Sequence, residues 1–479
     1  MRRISAKYLY TNDSEAPLMD GYVVLDDNGT VVGIGVSEDP AAEPEYYDGA
    51  IVPGFVNAHC HLELSYLKGK FRKGTGMAGF IDQINAMRDT SSMEEKKADI
   101  EYWLDTMWNR GVSAMADISN CSDSFEAKSK SPMFTRTFLE VFGTEPEDCD
   151  NVMNGVGKLA EVAEGYGIAA SPTPHACYTM SPELVTAVSA EGLKSGYLSF
   201  HSEETQEEED MMISGTGAMY ENRKRAGMSM PPVTGKSSLL YFIDRLEHAH
   251  PAQFDEHILL VHECCMNQEG IDAVKKVMNH PFVALCPCSN IFIHNALPPV
   301  ELMRKSGLKL TVGTDSLSSN DDLDMVREIF CLQENFPEVP LAEIIFWATA
   351  NGAEFIGKGK ELGYIRKDFR PGIVFIMGTH GARRSRGGNG RPRPETHSFR
   401  NGTDCSSLRS QVQDFHAHAR HDSGPQMARS RRTGTRLGRR TLSSDCRRAS
   451  RTFRDPAHRN VRRTLRHSPS GRYRFHHLV

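Results

Sequence analysis

Four histidines and one aspartate each stand just past a short apolar run of the chain. They are His59, His61, His201, His262 and Asp315. Residues i and i+2 of a β-strand point to the same side, so the first two histidines can present both imidazoles to one metal ion. Imidazole and carboxylate groups are ligands that Zn²⁺ and Fe²⁺ accept. The pattern therefore predicts one divalent-metal site assembled from several strand ends.

Eight short β-rich runs alternate with longer helical patterns in the middle of the chain. The runs are residues 51–61, 111–119, 134–143, 168–175, 197–204, 257–265, 282–290 and 308–316. Strands that alternate with helices predict a parallel sheet covered on both faces, and eight such strands close a barrel. The predicted fold class is α/β, a (β/α)₈ TIM barrel. Active sites of such barrels lie at the C-terminal strand ends, where the five residues stand.

The segments that flank the predicted barrel have other patterns. Residues 1–53 alternate apolar and polar positions around a DDNG turn, which predicts strands of a small β-sandwich domain. The barrel is then expected over residues 54–357, and residues 358–377 supply a strand that returns to the small domain. Because no strand pattern follows that return strand, we expect the composite sandwich to be incomplete.

Residues 378–479 differ from the rest of the chain in composition. Residues 1–377 carry 32 Lys and Arg against 56 Asp and Glu, a net charge of −24. Residues 378–479 carry 24 Arg, no Lys and 6 Asp and Glu, a net charge of +18. One interpretation is a disordered basic tail that binds nucleic acid or an acidic partner. The other interpretation is an out-of-frame translation that begins near Met377. A functional basic tail can use Lys and Arg alike for phosphate contacts, so the complete absence of Lys from this segment favours a change of reading frame.

Composition and segment patterns exclude several classes of protein. No run approaches the roughly 20 apolar residues that span a bilayer, and the N-terminus lacks the apolar region of a secretory signal. Eleven scattered cysteines indicate reduced thiols rather than a disulfide framework. We therefore expect a cytoplasmic enzyme with a small-molecule substrate and no membrane partner. Nucleic acid is not expected for the barrel, and a homodimer stays an open alternative.

The segments around the candidate ligands are similar to the signatures of a known superfamily. GFVNAHCHLELS, FHSEET, LLVHE, CPCSN and VGTDSLSSN resemble, in this order, the amidohydrolase superfamily in its single-metal deaminase branch. Aminodeoxyfutalosine and S-adenosylhomocysteine/methylthioadenosine deaminases are the members that the chain resembles most. The resemblance implies hydrolytic deamination of a purine-like, adenosine-derived substrate by metal-activated water. Hydrolysis of a cyclic amide or of a ring chloride is the alternative on the same site, and an inactive or misfolded product is another.

The resemblance also assigns roles to residues of this chain. The metal ligands for one Zn²⁺ or Fe²⁺ ion would be His59, His61, His201 and Asp315. Glu204 would be the general acid/base, with its neighbour Glu203 as the competing candidate. His262 would hydrogen-bond the attacking hydroxide, and Asp315 would also accept a proton from the water.

Three further residues are candidates for substrate contact: Glu63, His175 and His294. Glu63 follows the paired histidines by two positions, with a solvated loop carboxylate as the alternative. His175, at the end of the fourth predicted strand, resembles a substrate-contacting histidine of the deaminases, with a plain loop histidine as the alternative. His294 either touches the substrate or lines the rim of the site.

Neighbouring polar and thiol residues are given structural roles. The pairs Ser289-Asn290 and Ser319-Asn320 are turn-forming by type, and we expect them to hold the loops after the last two strands. Cys286 and Cys288 are expected to be buried thiols, because they lack the spacing of a second metal site. Asp321 with Asp322 is expected to begin a helix.

Overall fold

The computed structural model describes residues 1–250, residues 253–377 and the short strand Phe475–His477. All of these residues belong to one compact unit. The hypotheses of a disordered or out-of-frame segment at residues 378–479 concern residues outside the described part, apart from that short strand, and stay predictions. None of the helices in the described part combines the length and apolar character that crossing a membrane requires.

Both ends of the described chain contribute to one six-stranded sheet. Its strands, numbered in chain order, are β1 (Arg2–Leu9), β2 (Leu18–Leu25), β3 (Val31–Val36), β4 (Tyr46–Pro53), β13 (Ile373–Met377) and β14 (Phe475–His477). The spatial order is β14-β13-β4-β1-β2-β3, and only the pair β1–β4 is parallel. The predicted return strand therefore pairs with β4, next to the N-terminal strands. In the described residues, the small domain forms this single sheet.

Eight parallel strands form the barrel. They are β5 (Phe55–Cys60), β6 (Val112–Ser119), β7 (Phe134–Val141), β8 (Ala169–Pro174), β9 (Tyr197–Ser202), β10 (Phe254–His262), β11 (Met278–Leu285) and β12 (Lys309–Val312). They run as two four-stranded sheets, β5-β6-β7-β8 and β9-β10-β11-β12. The amide of His201 donates to His175 O at 2.9 Å, and that of Thr314 donates to His59 O at 3.0 Å. These two bonds join the sheets at both seams, so the predicted TIM barrel is confirmed.

Helices cover the outside of the strands and close the ends of the barrel. They are α1 (Gly76–Met87), α2 (Met93–Asn109), α3 (Phe125–Lys130), α4 (Cys149–Gly165), α5 (Pro182–Leu193), α6 (Gln206–Glu209), α7 (Gly217–Arg225), α8 (Ser238–Ala249), α9 (Gln268–Val277), α10 (Pro287–His294), α11 (Val300–Lys305), α12 (Met325–Asn335), α13 (Leu341–Phe346) and α14 (Gly352–Phe355). Ser181 caps α5 by accepting a hydrogen bond from the amide of Leu184.

Two boundaries differ from the expectation. The seventh barrel strand ends at Leu285, and the following CPCSN segment begins α10 instead of extending the strand. Pro287 explains this end, because it has no amide hydrogen for the sheet and its fixed φ suits the first helical position. The prediction that Asp321 and Asp322 begin a helix is wrong, since α12 begins after Asp324, whose carboxylate accepts from the amide of Val326.

A compact apolar cluster lies on one set of alternating strand positions. Its larger members include Phe138 on β7, Phe282 on β11 and Phe355 on α14, all fully buried. The rings of Phe138 and Phe355 stack with their centroids 5.8 Å apart. Because strand side chains alternate, Glu140 lies on the same face of β7 as Phe138. On β7, the polar side chain of Glu140 therefore lies between this apolar layer and the C-terminal end of the strand.

Candidate metal centre

Three imidazole nitrogens converge at the C-terminal end of the barrel. The Nε2 atom of His59 lies 3.2 Å from Nε2 of His61 and 3.1 Å from Nε2 of His201. The Oδ1 atom of Asp315 lies 3.7 Å from Nε2 of His59 and 3.6 Å from Nε2 of His61. All four side chains are buried. The four predicted ligands, which are spread over more than half of the chain, therefore occupy one place.

The strands position these side chains through their ends. His59 is on β5 and His61 follows it, His201 is on β9, and Asp315 follows β12. The seam between β12 and β5 brings Asp315 to the paired histidines, because its amide donates to His59 O at 3.0 Å. Asp315 has a φ of +56° and His262 one of +78°. Left-handed backbone is uncommon for residues other than glycine, and strained residues of this kind cluster at functional sites.

The donor set fits a divalent cation. The Nδ1 atom of His201 lies 3.2 Å from the carbonyl oxygen of His175, which accepts its hydrogen and leaves a lone pair on Nε2. Burial, followed by the nearby histidines, holds the pKa of His59 and of His201 well below the ordinary value. Both rings are therefore neutral at neutral pH. Neutral imidazoles and one carboxylate form a donor set that suits Zn²⁺ or Fe²⁺.

Burial alone would raise the pKa of Asp315. The charges of His61 and His262, with hydrogen bonds from Ser289 and Ser319, outweigh burial and hold this pKa below the ordinary value. The carboxylate is therefore ionised at neutral pH and offers a negative charge to a cation.

A carboxyl group and an imidazole face each other beside the converging nitrogens. Oε1 of Glu204 lies 3.5 Å from Nε2 of His262. Burial, then the charges of Asp315 and Glu208, raises the pKa of Glu204 well above the ordinary value. Burial lowers the pKa of His262 to about 4, so its imidazole is neutral. A carboxyl with a raised pKa, next to a neutral imidazole, is suited to move a proton during hydrolysis.

Residues 50–381, about two thirds of the chain, match the amidohydrolase family. The chain belongs to the amidohydrolase family. It is therefore a hydrolase that acts on carbon–nitrogen bonds, as the signature segments imply.

Individual relatives of this amidohydrolase are similar along most of their length. It is 25% identical over 366 residues to an adenosine deaminase of Helicobacter pylori, which covers 73% of this chain and 86% of the relative. It is 26% identical over 378 residues to a 5-methylthioadenosine/S-adenosylhomocysteine deaminase of Syntrophomonas wolfei, with 74% and 80% covered. The crystal structure of Helicobacter pylori aminofutalosine deaminase with methylthio-coformycin shares the fold, with a TM-score of 0.66 and 23% identity over 79% of this chain and 92% of that one.

The side chains of the adjacent residues Glu203 and Glu204 of this amidohydrolase point in different directions. Glu203 has a φ of +48°, and the chain turns there at the end of β9. The carboxylate of Glu203 takes a hydrogen bond from Ser237, while that of Glu204 approaches His262. The geometry therefore favours Glu204 over Glu203 as the group that faces the reaction.

The candidate substrate residues have unequal surroundings. Glu63 is buried, and its Oε2 accepts hydrogen bonds from the amide of Asn120 at 2.9 Å and from the thiol of Cys121 at 3.2 Å. It is therefore not a solvated loop carboxylate, and burial raises its pKa to about 7. The ring of His175 lies with its centroid 4.9 Å from that of His201, and burial lowers its pKa to about 3.

His294 is the last residue of α10 and lies toward His262. Burial lowers its pKa, and its charge is among the influences that lower the pKa of His262. Its Nε2 is buried without a hydrogen-bond partner among the described residues. The structure thus brings His294 near the predicted catalytic residues, which is compatible with either of the roles expected for it.

Sequence reasoning missed Glu140. Its Oε1 lies 3.5 Å from Nδ1 of His201 and 4.0 Å from Nε2 of His175, and its Oε2 accepts from the side-chain amide of Asn120 at 3.1 Å. With His61 and His201 it forms one of the groups that could hold a cation. An acidic residue near the end of an otherwise apolar strand, FTRTFLEVFG, was the signal that could have found it.

The serine and asparagine pairs do more than shape turns. Ser289 and Ser319 donate hydrogen bonds to Oδ2 of Asp315 at 2.6 and 2.7 Å, respectively. The side-chain amide of Asn290 lies 3.1 Å from Nδ1 of His262. These contacts orient the carboxylate and the imidazole. The spacing of the pairs did not reveal such roles, because the contacts of Ser289 and Asn290 join residues from different strand ends.

Proposed function

We propose that this amidohydrolase removes ammonia by hydrolysis from a purine-like, adenosine-derived substrate. The observation that carries the proposal is the approach of Glu204 Oε1 to within 3.5 Å of His262 Nε2, beside the converging ligands at the C-terminal end of the barrel. Hydrolytic deamination needs one group that moves a proton from water to the leaving nitrogen and one that orients the water. The names of the relatives, which are deaminases of adenosine derivatives, support the same substrate class.

We infer that His59, His61, His201 and Asp315 hold one divalent ion, Zn²⁺ in the first place and Fe²⁺ as the alternative. A divalent ion bound there would lower the pKa of a water molecule to near neutral. The positions of Ser289 and Ser319 support this assignment, because they fix the Asp315 carboxylate by its other oxygen.

Glu204 then acts as the general acid/base. Its carboxylate takes a proton from the attacking water, and the buried setting that raises its pKa lets the carboxyl hold that proton until the amino group leaves as ammonia. Asp315 is a second acceptor for a water proton. Both Glu204 and Asp315 follow barrel strands at the C-terminal end of the barrel, where the attacking water would be held.

His262 orients the attacking oxygen. The side-chain amide of Asn290 donates to Nδ1, so the hydrogen of the neutral ring resides on Nε2. That N–H points toward Glu204 and donates to the oxygen that attacks the purine carbon. A hydrogen bond of this kind is strongest when negative charge develops on the oxygen, which is in the transition state.

Glu63, His175 and His294 are the proposed substrate contacts. The side chain of His175 is 22% exposed, so its ring is accessible from the mouth of the barrel. Glu63 has one oxygen engaged by Asn120 and Cys121, and its other oxygen is available to a polar group of the substrate.

Ammonia release tests the proposed function. Purified protein is incubated with adenosine, 5′-methylthioadenosine, S-adenosylhomocysteine and, as representatives of the alternative, a cyclic amide and a chlorinated triazine. We expect ammonia and the corresponding inosine-type product from at least one adenine-containing compound, with metal measured in the same sample. Turnover of the cyclic amide or triazine alone, in a metal-loaded sample, would overturn the proposed substrate class.

A further inference from the structure

Two thiols on neighbouring helices face one surface cavity. Cys288 on α10 and Cys331 on α12 both line a cavity of about 140 Å³, together with Arg327 and Lys73. Both cysteines are partly exposed, whereas Cys286 is fully buried. The expectation of a buried thiol is therefore confirmed for Cys286 and wrong for Cys288. Since Cys288 is the second residue of α10, its side chain leaves the barrel end and points to α12.

Both sulfur atoms contact polar atoms of α12. Sγ of Cys288 lies 4.0 Å from the carbonyl oxygen of Arg327, which is one helical turn before Cys331. The side-chain amide of Asn335 lies 3.8 Å from Sγ of Cys331. A hydrogen bond to the Cys331 thiol is the main reason why the pKa of Cys288 is raised. Cys331 lies one helical turn beyond Arg327 and lines the same cavity as Cys288, so the two thiols lie at the same place on the surface.

The backbones of α10 and α12 are fixed to each other at this point. The amide of Cys288 donates to Oε2 of Glu328 at 3.0 Å, and Oε1 of Glu328 accepts from the side chain of Asn320 at 2.8 Å. Glu328 is buried and lies three residues before Cys331 on α12. A bond between the sulfur atoms would thus join segments that already share a hydrogen bond, which limits the strain that its formation requires.

We propose that Cys288 and Cys331 form an oxidation site that a hydroperoxide converts into a disulfide. The Cys331 thiolate attacks one oxygen of hydrogen peroxide, the O–O bond breaks, and the leaving hydroxide takes up a proton to give water and a sulfenic acid. The sulfur of Cys288 then attacks the sulfur of the sulfenic acid and expels its oxygen as a second water. Overall, two thiols and one peroxide give one disulfide and two water molecules.

The surroundings assign the order of attack. The Cys288 thiol donates its hydrogen to the carbonyl oxygen of Arg327 at 4.0 Å, while Cys331 Sγ accepts from the side-chain amide of Asn335 at 3.8 Å. Cys331 is accordingly the thiol that peroxide oxidises first, and Cys288 is the resolving thiol.

Closure of the disulfide would act close to the metal centre. Ser289 follows Cys288 in α10 and donates to the carboxylate of Asp315 at 2.6 Å. The oxidation site is independent of the substrate that the enzyme accepts, so a failure of the proposed deamination leaves this inference unchanged.

Peptide mapping of the full-length, metal-loaded protein tests the site. The protein is treated with hydrogen peroxide, remaining thiols are alkylated with N-ethylmaleimide, and the digest is examined by mass spectrometry. We expect a linked pair of peptides that contain Cys288 and Cys331, lighter by two hydrogens than the sum of the free peptides and separated by dithiothreitol. The linked pair should be absent from Cys331→Ser and from Cys331→Ala and present in Cys149→Ser, a partly exposed thiol on α4.

A dimedone trap tests the order of attack in the single variants. Cys288→Ser should accumulate a dimedone adduct at Cys331, because no resolving thiol remains. Alkylation of both Cys288 and Cys331 after peroxide treatment, or a disulfide from Cys288 to any other cysteine, would overturn the proposal. An adduct that forms faster at Cys288 in Cys331→Ser than at Cys331 in Cys288→Ser would overturn the assigned order.

Discussion

The metal centre and a second buried polar cluster, on β6 and α3, differ in how their atoms are paired. At the metal centre, nitrogen atoms of His59, His61 and His201 point at one another. In the second cluster, Lys128 of α3 and Asp117 of β6 form an ion pair of 2.5 Å with both side chains fully buried. At the metal centre, hydrogen-bond acceptors face each other, whereas in the second cluster a positive charge is paired with a negative charge.

The ion pair is saturated with hydrogen bonds. The ammonium of Lys128 also reaches Ser119 Oγ at 3.1 Å and Thr137 Oγ1 at 3.0 Å, which uses all three of its hydrogens. The carboxylate of Asp117 accepts from the amide of Leu62 at 2.9 Å, directly after the second metal-ligand candidate. A buried polar cluster with every group paired has a structural task, whereas one whose lone pairs converge without hydrogens between them is built to receive a cation.

The largest effect is expected where a ligand is removed. His61→Ala and Asp315→Ala should each lose the metal, from about one ion per chain to almost none, because three remaining donors hold an ion less firmly and leave charge unbalanced. Activity should fall with the metal. Elemental analysis of the purified variants measures this, with His248→Ala on α8 as the control. Full metal occupancy in both variants would show that His61 and Asp315 are not metal ligands, and the proposed difference between the two clusters would then be wrong.

The second effect concerns proton transfer without loss of metal. Glu204→Gln keeps the shape of the side chain and removes the group that moves the proton, so kcat should fall by about 10²- to 10⁴-fold. Metal content should stay at the wild-type level. Glu203→Gln is the matched control, since its carboxylate turns to Ser237, and should keep most of the turnover. Near-normal turnover in Glu204→Gln with a strong loss in Glu203→Gln would reverse the assignment.

The third effect tests the saturated cluster. Lys128→Met leaves the carboxylate of Asp117 buried without its cation, which should lower the free energy of unfolding by about 3–5 kcal/mol. Chemical denaturation measures the loss. Lys130→Met on the same helix removes an exposed partner of Glu126 and should change stability by less than about 1 kcal/mol. If both variants cost the same, the buried pair has no special structural task.

The smallest effect is a pH dependence of stability. Burial raises the pKa of Glu208 to about 7 and that of Glu209 to about 8, so the folded protein holds their protons more tightly than the unfolded chain does. The stabilisation is complete below the ordinary glutamate pKa of 4.5 and is lost as the pH rises through 7 and 8.

Glu209→Gln should therefore weaken the decline of Tm between pH 6 and about pH 9, because a neutral amide has no proton to lose. Thermal unfolding at both pH values measures the difference. The exposed Glu221→Gln on α7 serves as the control and should follow the wild-type decline. An unchanged decline in Glu209→Gln would show that other groups cause it.

The sequence by itself determined the kind of chemistry and the scaffold. The alternation of apolar strands with helices predicted the barrel, and the positions of His59, His61, His201 and Asp315 past those strands predicted their meeting. This works because parallel strands of a barrel place all their C-terminal ends on one side. The order of the strands and the types of the residues that follow them are then enough to predict which residues meet at the metal site.

Only the tertiary structure decided how the collected groups are oriented and supported. The choice between Glu203 and Glu204 depends on a left-handed turn at the end of β9, which residue type does not reveal. The approach of Glu140 to His201 and the hydrogen bond from Ser289 to Asp315 join different strand ends. Such contacts depend on distances between segments far apart in the chain. Local periodicity predicts the direction of a side chain along its own strand but not the partner that it meets across the barrel.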